Sequence, residues 1–120
     1  MKLKFVLLIL VFLVAGCCGL NSCCTPDKCP DALEGFAIYQ PVIKALEQYK
    51  SDHDIYPKLL EQLIPEYIQA IPLPKSENAT GLEYTSDGSS FTLRFGYIHP
   101  GYNKCAYFST EKKWSCAGAF

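Results

Sequence analysis

Apolar residues recur along this chain with two different periods, and the change of period divides it. From Asp31 the positions Ile38, Val42, Leu46 and Tyr49 follow the four, four, three spacing of one helix face, while Lys44, Glu47, Gln48 and Lys50 fall mostly off it. The helix is expected to start at Asp31, with Glu34 three residues on, as in a capping box that uses Asp as the cap. Pro41 interrupts the pattern by removing a donor and crowding the carbonyl of Ala37, so a continuous but bent helix is expected. Ser51-Asp52-His53-Asp54 ends it. Tyr56-Pro57 then opens a second, short helix, with Leu59, Leu60, Leu63 and Ile64 on its apolar side and Pro65 limiting it. Ile71-Pro72-Leu73-Pro74 must be extended, because two prolines two apart exclude helix.

From Leu82 the period becomes two. Leu82 to Thr85 reads as a strand, Ser86-Asp87-Gly88 as a turn and Ser90 to Tyr97 as a second strand. Phe91, Leu93, Phe95 and Tyr97 share one face, with Thr92, Arg94 and Gly96 on the other, the pattern of an antiparallel sheet covered on one side. His99-Pro100-Gly101 turns the chain, and Lys104 to Phe108 and Lys113 to Ala117 make a final hairpin. The predicted fold class is α+β, with an N-terminal helix and a short helix packed on a small antiparallel sheet.

That hairpin carries a pair of cysteines. With Ser109 to Lys112 in the loop, Cys105 faces Cys116 and Tyr107 faces Trp114, all on one side of the ribbon. Directly opposed strand residues have the Cα separation a disulfide needs. A structural Cys105–Cys116 bond is therefore expected rather than a redox site, since no Cys-x-x-Cys or helix start lowers either thiol pKa.

Ahead of the periodic region stands a different segment. Met1-Lys2-Leu3-Lys4 precedes thirteen apolar or small residues from Phe5 to Cys17, the order of a secretory signal. A spanning helix needs ~20 apolar residues; counted to Leu20, this run reaches only 16, with basic residues on its amino-terminal side alone. Val14-Ala15-Gly16-Cys17 resembles the bacterial lipobox. The resemblance implies a signal at residues 1–16, lipid on the Cys17 thiol, and a membrane partner reached through that lipid outside the cytoplasm. Cys18, rather than aspartate, follows the lipid cysteine, which makes the outer membrane the default over the inner.

Removing residues 1–16 takes Lys2 and Lys4 and leaves 9 basic and 12 acidic residues, net −3. That balance argues against a nucleic-acid partner, because nucleic-acid binders cluster Lys and Arg on one face. Residues 17–30, CCGLNSCCTPDKCP, suit neither helix nor strand and read as a cysteine-rich tether, leaving residues 31–120 as one domain. Cys18, Cys23, Cys24 and Cys29 have the wrong spacing for a zinc knuckle; disulfides of undetermined pairing are expected, with metal or redox chemistry as the alternative. His53, between Asp52 and Asp54, reads as a solvated helix end without a placed nucleophile. No Gly-rich phosphate loop, paired catalytic carboxylates or Ser-His-Asp set is evident, so neither an enzyme, a cofactor nor a small-molecule substrate is expected.

Ala45-Leu46-x-x-Tyr49, Ile55-Tyr56-Pro57, Leu60-x-x-Leu63-x-Pro65-x-Tyr67-Ile68 and Ile71-Pro72 together resemble type IV pilin-like proteins, especially the major pseudopilins of type II secretion. The resemblance implies a head of one long helix, a Tyr-Pro turn, a short helix and a small antiparallel sheet. A lipobox and tether stand where pilins have their prepilin-peptidase site and polymerisation helix, so filament assembly is not implied. The pseudopilin calcium loop has no convincing match, and Asp87 reads as a turn residue. The expected function is a non-enzymatic, lipid-anchored envelope protein whose head serves protein interaction or surface structure; the alternative is an accessory subunit of a secretion or pilus machine.

Overall fold

A computed structural model describes residues 25–98 and 101–119. Helix α1 runs Pro30–His53 without a break at Pro41. Its start differs from the capping-box expectation. Cys29 is the extended N-cap residue and makes no side-chain cap bond, and Pro30 opens the first turn, where its fixed φ suits the helix and its missing N–H costs nothing. Glu34 is drawn elsewhere: its Oε1 accepts from the Lys75 N–H at 2.8 Å, tying the helix to the extended stretch that follows residue 71. Asp54 ends the helix in the left-handed region at φ 65°, with its N–H donating to Lys50 O. Ala32, Gly35, Tyr39, Val42 and Leu46 form the buried stripe, one residue out of phase at Tyr39 from the predicted face; Ile38 and Tyr49 flank it half-buried.

The predicted second helix is not one. Tyr56 and Pro57 are buried and lie outside any helix. The Tyr56 N–H donates to Gly88 O at 2.8 Å, and the Tyr84 hydroxyl donates to Pro57 O at 2.7 Å. Only a 3₁₀ turn forms, at Leu60–Leu63, with Gln62 Oε1 accepting from the N–H groups of Lys58 and Leu59. In a 3₁₀ turn residues three apart eclipse. Leu60 and Leu63 therefore go into the core, and Leu59 and Ile64 point to solvent.

Strands β1 (Glu83–Ser86), β2 (Phe91–Ile98), β3 (Tyr102–Phe108) and β4 (Lys113–Ala119) form an antiparallel meander in the order β1-β2-β3-β4. The fold is thus α+β, one helix against a small four-stranded sheet. Phe91, Leu93, Phe95 and Tyr97 are all buried on the face toward α1, as the period-two pattern predicts. The aromatic rings run in a connected chain: Tyr56 to Phe91 at 4.8 Å, Phe91 to Tyr107 at 5.9 Å, Tyr107 to Trp114 at 5.4 Å, Trp114 to Phe36 at 5.1 Å and to Phe95 at 5.2 Å. Each large side chain withdrawn from water contributes roughly 1.5–3 kcal/mol, so this aromatic layer supplies much of the drive to fold so small a domain. The packed part also includes the end of the cysteine-rich stretch. Pro26 O accepts from the Tyr97 hydroxyl, and the free thiol of Cys29 is buried against Thr25 O. Among the described residues no helix is long and apolar enough to cross a membrane.

Candidate functional site

The β3–β4 hairpin has the predicted register, with Cys105 paired to Cys116 and Tyr107 to Trp114. Cys105 and Cys116 are disulfide-bonded, with Cα atoms 4.0 Å apart. Cys105 is fully buried, which shields its sulfur from an attacking thiolate, while Cys116 is half-buried. Cys17, Cys18, Cys23, Cys24 and the His99-Pro100 turn lie outside the described residues. Among the described residues no three His, Cys, Asp or Glu side chains converge to hold a metal.

His53 has become part of a helix-end cluster. Its ring stacks on Tyr49 at 4.0 Å, and its Nδ1 N–H donates to the carbonyl of Tyr49, four residues back, at 3.0 Å. The Tyr67 hydroxyl donates to Asp52 Oδ2 at 2.9 Å and approaches His53 Nδ1 at 3.5 Å. Desolvation in this contact, then the Asp52 carboxylate to which it donates, push the Tyr67 hydroxyl up to about 12. The cluster clips residues 67–68 to the end of α1. No serine or thiol is hydrogen-bonded to the imidazole among the described residues, so the arrangement holds structure and assembles no nucleophile.

Asp87 is the turn residue its sequence suggests. Its Oδ1 accepts from the N–H groups of Ser89 and Ser90 at 2.9 and 2.7 Å and from both serine hydroxyls. The Ser90 N–H, then the Ser89 hydroxyl and N–H, hold its carboxyl below the usual carboxylate range. A shallow cleft of about 280 Å³ opens beside it, lined by Thr85, Ser86, Ser90, Phe91 and Thr92. With Oδ1 already accepting four bonds from its own turn, the carboxylate is committed to structure.

Apolar side chains that sequence periodicity did not place in solvent lie in the connection from α1 to β1. Ile55, Leu59, Ile64 and Leu73 are exposed there, Leu59 by 61% and Leu73 by 80%. Helical spacing assigns Leu59 and Ile64 to a core face, whereas both are extended residues flanking the 3₁₀ turn, after a Tyr56-Pro57 stretch bonded to Gly88 and Tyr84. Leu33 at the start of α1 and the cross-strand pair Ile98 and Tyr102 on the outer sheet face are exposed as well. Such surface can bind another apolar surface and performs no bond-making chemistry. Compared with family models, with curated proteins and with solved structures, the chain matches none.

Proposed function

We propose that this is a membrane-anchored envelope lipoprotein that acts by binding rather than by catalysis. The single observation that carries the reading is Val14-Ala15-Gly16-Cys17 at the end of a short apolar run behind two lysines. Each buried methylene of an acyl chain adds roughly 0.8 kcal/mol of membrane affinity, and two or three chains hold effectively permanently. The outer membrane is the expected location. The exposed Ile55, Leu59, Ile64 and Leu73 support a protein partner for the head, which the disulfide-closed sheet presents as a rigid body. One long helix followed by an antiparallel meander supports a pilin-type head, and with it the second reading, an accessory subunit of a secretion or pilus machine. Metabolic labelling with a palmitate analogue in a bacterial host tests the anchor. Label should enter the wild-type chain and be absent from Cys17→Ser; equal labelling of both, or of neither, contradicts it.

A further inference from the structure

The two edges of the sheet are treated differently. β1 is only four residues long, the Tyr56 N–H donates to Gly88 O in the turn that follows it, and the Tyr84 hydroxyl donates to Pro57 O. β4 is seven residues long, Lys113–Ala119, with Asn103 and Pro26 against the face of Gly118. Among the described residues, its backbone hydrogen bonds all run to β3. It also lacks the usual protections of an edge, having no proline, no bulge and a single charge at its start.

The backbone groups that β4 leaves open can be assigned. Opposed residues in an antiparallel pair alternate between hydrogen-bonded pairs, ~5.5 Å apart at Cα, and non-bonded pairs, ~4.5 Å apart. At 4.0 Å, Cys105–Cys116 is a non-bonded pair. The Ser109 N–H to Phe91 O bond agrees, because it turns the odd-numbered residues of β3 toward β2. By alternation Lys113, Ser115, Ala117 and Ala119 face β3, while Trp114, Cys116 and Gly118 direct their N–H and C=O groups to the free edge.

We propose that this edge pairs with β4 of a second copy of the chain, making one continuous eight-stranded sheet. A two-fold axis at Cys116 pairs Trp114 with the copy's Gly118, Cys116 with its own counterpart, and Gly118 with the copy's Trp114. Every outward donor then meets an outward acceptor, and the interface is self-complementary as a two-fold requires. The side chains agree. On the outer face Ser115 stands opposite the copy's Ala117. No like charges meet.

Ser115 and Ala117 are exposed, so substitutions there spare the fold of one chain. Sedimentation equilibrium of the full chain in density-matched detergent, with micelles in excess, reads the assembly. Wild type should be dimeric by about 100 μM. Ser115→Lys with Ala117→Lys sets two lysine pairs directly opposed and should weaken dimerisation about tenfold or more. Ser115→Glu with Ala117→Lys makes the same two contacts opposite in charge and should dimerise at least as well as wild type. A monomeric wild type overturns the proposal. So does a dilysine variant that dimerises like wild type, or a glutamate–lysine variant that fails to dimerise.

Discussion

Gly35 and Phe95 meet without a spare atom between them: a Cβ on Gly35 would stand 2.2 Å from Phe95 Cζ and 2.4 Å from Cε2. The ring lies across the helix backbone and is held there by Tyr39, Phe36 and Trp114 around it. This contact sets how closely α1 lies on the sheet. Glycine is there for want of a side chain and not for its backbone freedom, since a glycine inside a helix costs about 0.5–1 kcal/mol against alanine.

Gly35→Ala should therefore destabilise the protein although it improves helix propensity. Overpacking a filled core costs about 1–3 kcal/mol, which exceeds the propensity gain. Thermal unfolding should show a lower Tm for Gly35→Ala and partial recovery in Gly35→Ala with Phe95→Leu. A raised Tm in the single variant would mean that the ring moves aside freely.

The Cys105–Cys116 bond ties an edge strand to its neighbour across a separation of 11 residues. For a closed loop of that size the stabilisation is roughly 2–3 kcal/mol. Cys116→Ser should lower Tm and speed hydrogen exchange at residues 113–119, while residues 42–50 of α1, held by their own apolar face, stay largely protected. Reductant should produce the same loss in wild type and little further change in the variant. Equal Tm values under oxidising conditions would show the bond to be irrelevant to stability.

Leu59 and Leu60 are neighbours with opposite fates. Leu60→Ala should cost about 2–5 kcal/mol, as removal of a buried leucine does. Leu59→Asp should change stability by less than ~0.5 kcal/mol, as surface substitutions do. Chemical denaturation of both variants checks this. A large loss from Leu59→Asp would restore the helix that the spacing predicts.

Tyr56 donates to Glu47 Oε1 at 3.0 Å, and burial, followed by that hydrogen bond, pushes its hydroxyl from an ordinary 10.0 up to about 12. A folded-state pKa raised above the unfolded one contributes stability that is whole below the unfolded value and is lost as pH rises through the folded value. Stability should thus fall between pH 10 and about 12, and Tyr56→Phe should make that alkaline limb shallower. Urea midpoints across the range measure it; identical limbs would exclude Tyr56 as a contributor.

The sheet was legible because its signals are local. Alternation marked the buried faces of Phe91 to Tyr97, and a four-residue loop set Cys105 opposite Cys116. At two places a distant partner prevailed over a local rule. Glu34 accepts from the N–H of Lys75, forty-one residues away, and Tyr56-Pro57 bonds Gly88 and Tyr84 and starts no helix. Leu59 and Ile64 accordingly face solvent, among the exposed apolar residues proposed here to meet a partner. The proposed lipobox Val14-Ala15-Gly16-Cys17 is a different kind of signal, because processing segments act as sequence and not through a fold.

The account rests on that short stretch more than on any other, and the intact mass of the mature protein from a bacterial envelope tests it most directly. The account predicts a chain that begins at Cys17, heavier than the bare polypeptide by a diacylglyceryl group and an amide-linked acyl chain, with Cys105 and Cys116 oxidised. An unmodified chain still carrying Met1-Lys2 would contradict it.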